Sequence, residues 1–253
     1  MTPLELLLVA LAGVGAGFIN TVAGSGTLIT FPTLVALGVP PVVANVSNNV
    51  GLIPGSVAGA VGWRRELVGQ RRRVLRLATA SAVGAFLGAV LLLALPSSAF
   101  DLIVPGLIVV GLVLVAAGPA INRRVAKAHE SPEDRPDAWW AWPATMGAGV
   151  YGGYFGAAQG IILVGFLGVA LAEGVHRLNA LKNVLSALVN SVAALVFVTV
   201  AHVDWVVAAL IGGGSVAGAV LGATLGRRLS PALLRGVILL VGGTALVVFL
   251  VRS

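Results

Sequence analysis

Long uncharged stretches dominate the pattern of polar and apolar residues along the chain. Because a helix needs about 20 predominantly apolar residues to cross a bilayer, six mainly apolar segments each fit a single crossing. The six segments are 42–62, 77–95, 102–121, 178–200, 205–226 and 232–251. The pattern therefore predicts an all-α integral membrane protein.

Two further apolar stretches, 4–37 and 139–172, are too long for one crossing and are rich in glycine. Each is predicted to break in the middle, at Ala23-Gly24-Ser25-Gly26 and at Gly156-Ala157-Ala158-Gln159-Gly160. A break leaves backbone N–H and C=O groups unpaired, so protein or a water-filled cavity must surround it at membrane depth.

The two halves of the chain align with each other at a constant offset of 134 residues. Glycine and alanine matches arise easily between apolar segments, but paired asparagines do not, so the offset predicts a duplication. The predicted units are a first repeat at 4–121, a linker at 122–137 and a second repeat at 138–251. The matches include Gly13, Gly15, Ala23, Gly26, Asn45 and Asn49, which fall on Gly147, Gly149, Ala157, Gly160, Asn179 and Asn183.

Composition agrees with a membrane protein and excludes several other classes. The 253 residues are 58% hydrophobic and 10% charged, with a mean hydropathy of +1.03, which excludes a soluble enzyme or a disordered chain. No cysteine is present, so disulfides and thiolate metal sites are excluded, and no cofactor is predicted. The net charge of +7 reflects cationic cytoplasmic loops, so the predicted partner is the lipid bilayer and no nucleic acid.

Loop charges favour one of two arrangements of the repeats. If each long stretch crosses once, the repeats are parallel, and Arg177, Arg227, Arg228 and Arg235 lie opposite the basic loop 64–76. If each long stretch is a hairpin, the second repeat is inverted, and these cations share the cytoplasmic side with the loop and with the linker.

The positive-inside rule favours two inverted repeats, each a re-entrant or broken-helix hairpin plus three transmembrane helices. The linker is then cytoplasmic, and the chain is a multi-pass membrane protein. Inverted repeats with broken helices are typical of secondary transporters, in which alternating access exposes one central site to either side.

Polar side chains at membrane depth are the candidate binding residues. Asn45 and Asn49 share one helical face, and Asn179, Lys182 and Asn183 form a stripe in the second repeat. Lys182 is the one cation placed well within an uncharged segment, and no acid in the apolar core can neutralise it. Such a lysine loses its proton, contacts an anionic ligand, or extends its stem to the membrane surface. The asparagines either donate hydrogen bonds to a substrate or join helices.

Glycine-rich positions have two separate interpretations. The breaks begin short helices whose N-terminal N–H groups suit an anion, and Ser25 and Gln159 are expected to line the two tips. The pairs Gly84-x-x-x-Gly88 and Gly218-x-x-x-Gly222 are predicted to be helix-packing faces.

A membrane enzyme is the alternative from another class, and the sequence argues against it. The three histidines, His129, His176 and His202, are far apart in predicted loops, and no metal site is predicted. Gly213-Gly-Ser215-Val-Ala217 misses the nucleophile-elbow pattern and lacks a base, and there is no phosphate-binding loop for ATP. We predict that the protein is not an enzyme, and a purely structural or assembly role is a further alternative.

The chain resembles the sulfite exporter TauE/SafE family of bacterial membrane permeases over nearly its whole length. The resemblance rests on the opening segment 15–32, the run Ala44-Asn-Val-Ser-Asn-Asn-Val-Gly51 and the second-half segment 149–160. Ala158 and Gln159 stand where the family commonly has glycines, so the second tip is expected to differ in shape. The resemblance implies export of sulfite, organosulfonates or related small anions across the bacterial cytoplasmic (inner) membrane, by a multi-pass protein.

Two mechanisms are open for a small anionic substrate. A carrier for sulfite needs no membrane carboxylate for proton coupling, because the second ionisation of sulfite lies near neutrality and the substrate can carry its own proton. The alternative is an anion channel or a permease for another small carboxylate or oxyanion. The sequence leaves a homodimer open.

Overall fold

The computed structural model describes residues 1–128, 137–171, 173–225 and 231–252, and helices account for most of this part of the chain. A short 3-10 helix at Arg64–Leu67 follows the third α-helix. The α-helices in the described ranges are α1 (Pro3–Val22), α2 (Thr27–Ala36), α3 (Pro41–Gly62), α4 (Arg71–Ala94), α5 (Ser97–Ala128), α6 (Ala141–Tyr154), α7 (Gln159–Ala170), α8 (Val175–Val200), α9 (Trp205–Leu225) and α10 (Pro231–Arg252).

Five of the described helices, α1, α4, α5, α8 and α9, are long and apolar enough to cross a membrane. The predicted all-α membrane class is therefore confirmed. Helix α3 has the length for a crossing, but it carries a buried polar run from Asn45 to Asn49, which lowers its hydropathy. Helix α4 begins at Arg71, upstream of the predicted crossing at 77–95, because its arginines continue the helix beyond the apolar segment.

Both predicted breaks are present. Four residues separate the end of α1 at Val22 from the start of α2 at Thr27, and four separate the end of α6 at Tyr154 from the start of α7 at Gln159. Gly24 and Ala158, which correspond under the 134-residue offset, have φ of 79° and 61°. Such left-handed residues cannot continue a right-handed helix, so each fixes the position of its break.

The second long stretch returns to the side on which it begins. The N–H of Ala138, just before α6, donates to the carbonyl of Ala170 at the end of α7, over 2.9 Å. In the first stretch α2 packs back onto α1, and a side chain built on Gly15 would contact Ile29. Both stretches therefore fold back on themselves at their glycine-rich breaks.

The helices form two bundles that are packed in the same way. The first bundle contains α1, α2, α3 and α9, and the second bundle contains α6, α7, α8 and α4. Helix α10 packs on α2 and α5 packs on α7, while α3 and α8 join the bundles along the centre. Each helix pair in one bundle has its counterpart in the other, as a two-fold relation between the halves predicts.

Glycine faces bring the helices of each bundle into backbone contact, which confirms the predicted packing role of the glycine pairs. A Cβ on Gly84 or Gly88 would overlap the α6 backbone near Val150. A Cβ on Gly218 or Gly222 would meet the α1 backbone in the same way. Close approach of this kind is how small residues hold helices together where the hydrophobic effect is weak.

The equivalent helices α3 and α8 run in opposite directions. As the chain proceeds along α3, its contacts fall on progressively earlier residues at or just beyond α8. These contacts are Asp204 N–H to Ser47 Oγ at 2.9 Å, Asn190 Nδ2 to Ser56 Oγ at 3.0 Å, and Trp63 stacked on His176 with ring centroids 5.9 Å apart. The inverted relation of the two repeats and their orientation across the membrane stay predictions.

Charged residues from distant segments meet at one end of the molecule. Arg73 Nη2 lies 2.6 Å from Asp137 Oδ1, and Arg73 Nη1 lies 2.5 Å from Glu173 Oε1. Arg177 Nε lies 2.6 Å from Glu173 Oε2. We call this side of the molecule the charged end. Arg73 of the basic loop 64–76 and Arg177 thus share one end of the molecule.

The predicted linker at 122–137 is helical at its start, because α5 continues to Ala128. Residues 129–136, together with Arg227 and Arg228, lie outside the described residues. The boundaries of the two repeats therefore remain predictions.

Candidate functional site

The two helix breaks touch each other at the centre of the molecule. The N–H of Gly160 donates to the carbonyl of Gly24 over 3.1 Å, and a Cβ on either glycine would overlap the other's Cα. Ser25 and Gln159 adjoin this contact and are 0% and 4% exposed. We call this contact between the two bundles the central crossing, and it brings the two predicted tips together.

Lys182 lies buried at the central crossing. The residue is 0% exposed, and its Nζ donates to the carbonyl oxygens of Asn20 at 3.0 Å and Thr21 at 3.1 Å. A Cβ built on Gly160 would lie 2.8 Å from Lys182 Cδ, so the stem passes directly over the second break. The ammonium therefore lies inside the molecule and does not extend to a membrane surface.

The two carbonyls that accept from Lys182 belong to the broken end of α1. The N–H groups of Ala23 and Gly24 both donate to Ile19, so the later carbonyls of the last turn lack their usual helical partners. The C-terminal end of a helix also carries partial negative charge, which favours a cation. Lys182, which belongs to the second bundle, thus caps the end of the first broken helix.

Asparagines complete a reciprocal set of caps. Asn183 Nδ2 donates to the carbonyl of Thr21 over 3.3 Å, and Asn45 Nδ2 donates to the carbonyl of Tyr154 over 2.9 Å. Tyr154 is the last residue of α6, so Asn45 caps the second broken helix from the first bundle. Each bundle therefore supplies side-chain donors to the backbone carbonyls at the broken helix end of the other bundle.

Several buried polar atoms near the breaks have no hydrogen-bond partner within the described structure. Burial of an unpaired polar atom costs about 1–3 kcal/mol, so such groups usually mark bound water or a ligand. The atoms on the break segments and on α3 and α8 are Ser25 Oγ, Asn49 Oδ1, Gln159 Nε2 and Ser186 Oγ. Asn179, the remaining predicted site residue, is half-buried.

Sequence reasoning missed Asn20 and Ser56 at this site. The side-chain amide of Asn20 donates to Ser56 Oγ over 3.2 Å, and Asn190 donates to the same oxygen over 3.0 Å. Asn20 stands just before the predicted break in an uncharged stretch, which was an available signal. Asn20 falls on Tyr154 under the 134-residue offset, so it is not one of the asparagines that are paired between the halves.

Asn48 joins the helices of the first bundle and does not reach across the central crossing. Its Nδ2 donates to Thr27 Oγ1 over 3.4 Å, and its Oδ1 accepts from Thr30 Oγ1. Asn48 corresponds to Lys182 under the offset. The two halves therefore use one position differently, since α3 carries a neutral amide where α8 carries the cation.

The central crossing is buried, and Lys182 is the one buried basic side chain among the described residues. No carboxylate in the described ranges forms an ion pair with Lys182, and the described acids lie near helix ends or in connecting segments. Two surface cavities, lined in part by Arg123 and by Arg73, do not include the predicted site residues. Lys182 is therefore closed off from solvent in this conformation.

Ala158→Gly is expected to stabilise the protein. Ala158 is fully buried with a φ of 61°, a conformation that costs an alanine about 1–2 kcal/mol and a glycine much less. After the greater chain entropy of glycine is included, we expect a net gain of about 0.5–1 kcal/mol. Thermal unfolding in detergent measures this gain.

Ala157→Gly is the matched control, because Ala157 is equally buried without a positive φ. We expect this variant to unfold at a lower temperature than the wild type. A lower unfolding temperature for Ala158→Gly as well would contradict the strain at the second break.

Two broken helices, a buried cation and several helices of membrane-spanning length define the class of a helical membrane transporter. Residues 9–249 match the family described as Sulfite exporter TauE/SafE, so the chain belongs to that family. The protein is accordingly a multi-pass protein of the cytoplasmic membrane.

Three curated relatives are named as transporters. The chain is 29% identical over 208 residues to the probable membrane transporter protein ORF9 of a Sinorhizobium species, covering 82% of this chain and 77% of that protein. It is 28% identical to the probable membrane transporter protein YfcA of Escherichia coli K12, covering 90% and 82% of the two chains. A probable membrane transporter protein of Haemophilus influenzae is 24% identical, covering 90% and 88%. No solved structure matches the chain significantly.

Proposed function

We propose that the protein is a secondary transporter that exports small sulfur-containing anions, sulfite or organosulfonates, by alternating access. One observation carries the proposal. The ammonium of Lys182 is buried where the two helix breaks meet, and its hydrogen-bond acceptors there are backbone carbonyls. A buried cation without a carboxylate favours an anionic ligand.

The surrounding groups suit a small oxyanion. A lysine ammonium has three N–H donors, and two of them are directed to Asn20 and Thr21. The third is available to an anion, and the unpaired polar atoms of Ser25 and Gln159 adjoin the same crossing. The proposed amide donors to the substrate oxygens are the paired asparagines Asn45, Asn49, Asn179 and Asn183.

The reciprocal caps are the hydrogen bonds that are exchanged when the two bundles separate. In the closed form, Lys182 and Asn183 hold the end of α1, and Asn45 holds the end of α6. An entering anion competes with those carbonyls for the same donors. Exchange of a few hydrogen bonds therefore accompanies separation of the bundles, while the backbone contacts within each bundle persist.

Proton coupling through the substrate fits this site. The described residues provide no carboxylate at the central crossing, whereas sulfite itself gains or loses a proton near neutral pH. We expect sulfite movement to depend on the pH gradient. A permanently ionised organosulfonate should not show that dependence, and equal dependence for both anions would contradict coupling through the substrate.

Counterflow in proteoliposomes tests the proposed function. Vesicles that contain the purified protein are loaded with unlabelled sulfite and diluted into a trace of radiolabelled sulfite, with sulfoacetate, sulfate and acetate as competitors. A carrier accumulates label transiently above equilibrium, saturates, and is inhibited by sulfoacetate. Sulfite flux without counterflow would indicate an anion channel. Inhibition by acetate alone would replace the proposed substrates with carboxylates.

A further inference from the structure

Two arginines line a cavity that is separate from the central crossing. The cavity has a volume of about 610 Å³ and lies between α5 and α10. Arg123 contributes from α5 and Arg235 from α10. The remaining lining residues are Ala116, Pro119, Ala120 and Leu239.

This cavity lies at the boundary between apolar and polar chain. In the sequence, the uncharged run 102–122 on α5 ends at Arg123, and the uncharged run 236–251 on α10 follows Arg235. Helix α4 begins at the charged end and α5 returns to it. Helix α9 also returns there before α10 departs, so both arginines lie at the end predicted to be cytoplasmic.

The two guanidinium groups lack carboxylate partners within the described ranges. Arg123 Nε donates only to the carbonyl of Pro119, over 3.3 Å, and no ion pair is formed by Arg235 with a described residue. Arg73 and Arg177, at the same end, are both paired with acids. Two unpaired cations that share one cavity create a local preference for an anion.

The other described lining residues are apolar, so the anion that fits is amphipathic. We propose that this cavity binds an anionic phospholipid, with its phosphate between Arg123 and Arg235 and its acyl chains along α5 and α10. Planar guanidinium groups form paired hydrogen bonds with phosphate oxygens. Basic pockets between membrane helices on the cytoplasmic side are a recognised environment for anionic headgroups.

An anionic lipid fits this cavity better than a second copy of the chain or a small transported anion does. A second copy of the chain at a two-fold interface would bring identical surfaces, and hence the same arginines, towards each other. A small transported anion would gain nothing from the apolar wall formed by Pro119 and Leu239. The site therefore does not depend on the proposed transport function.

Lipid binding to the purified protein tests this proposal. Native mass spectrometry compares delipidated protein after addition of phosphatidylglycerol, phosphatidylcholine or soluble glycerol phosphate. We expect wild-type protein to retain phosphatidylglycerol selectively. Arg123→Gln and Arg235→Gln should each weaken that binding roughly fivefold, and the double variant roughly thirtyfold, the magnitude expected for two surface cations on an anionic lipid.

Controls separate this site from general basic charge. Arg64→Gln with Arg65→Gln removes two cations at the same end that do not line the cavity, and it should bind lipid as the wild type does. The Arg123→Lys and Arg235→Lys pair retains charge and should fold while losing part of the binding.

Equal binding by wild-type and double-glutamine protein, or equal retention of phosphatidylcholine, would overturn the proposal. Retention of glycerol phosphate as strong as that of the lipid would assign the site to a soluble anion, and a dimer that dissociates in both variants would assign it to a second copy.

Discussion

Lys182→Met is expected to reduce sulfite flux roughly 10-fold to 100-fold while leaving the protein folded. A hydrogen bond to a charged group contributes about 1.5–3 kcal/mol, and each 1.4 kcal/mol changes a binding constant tenfold. The substitution removes the one cation at the central crossing and retains most of the buried volume of the side chain. Flux into proteoliposomes at equal protein content measures the effect.

A structural role for Lys182 would produce a different result. Methionine leaves the carbonyls of Asn20 and Thr21 without their donor, which costs about 1–3 kcal/mol, but it also removes the cost of burying a charge. We therefore expect a small net change in unfolding temperature. Loss of flux in proportion to loss of folded protein would indicate a cap without a role in transport.

Arg177→Met is the matched control, because it removes a cation from the same helix outside the central crossing. Its partner Glu173 and its own side chain are partly exposed, and such ion pairs contribute about 0–1 kcal/mol. Flux should stay within about twofold of the wild type. A loss as large as that of Lys182→Met would indicate that flux depends on overall positive charge.

Gly24→Ala is expected to have the largest effect on stability. The φ of 79° costs an alanine about 1–2 kcal/mol, and its Cβ would overlap the backbone of Gly160, which adds about 1–3 kcal/mol. Because the neighbour is backbone, it cannot move aside as a flexible side chain could. Thermal unfolding in detergent should show a clear decrease, accompanied by reduced accumulation of folded protein.

Gly38→Ala separates the two causes. Gly38 has a φ of 84°, but a Cβ there would meet no atom within 4 Å. Only the conformational cost of about 1–2 kcal/mol should remain. Equal destabilisation of the two variants would show that the breaks do not meet as closely as the contact between Gly24 and Gly160 indicates.

Local patterns predicted the helices and the positions of both breaks. Uncharged stretches longer than one crossing, with glycines in the middle, were sufficient to locate the breaks near Gly24 and Gly156. The isolation of Lys182 among apolar residues identified it as a candidate before its contacts were known. These features depend on short sequence windows, in which composition directly limits the backbone.

Long-range pairing could not be predicted in the same way. Nothing near Lys182 indicates that its partners are the carbonyls of Asn20 and Thr21, because those acceptors belong to the backbone and carry no side-chain signal. The left-handed conformation of Ala158 was also hidden, since an alanine ordinarily favours a right-handed helix. Packing of the two bundles determines both features.

Direct binding of sulfite to the purified protein tests the central claim, which is that an anion binds at the central crossing through Lys182. Isothermal titration in detergent compares wild-type protein with Lys182→Met, with sulfate as the control anion. We predict saturable binding of one sulfite per chain in the wild type and a loss of at least roughly tenfold in affinity in the variant. Unchanged sulfite affinity in folded Lys182→Met protein would contradict the claim and place the anion elsewhere.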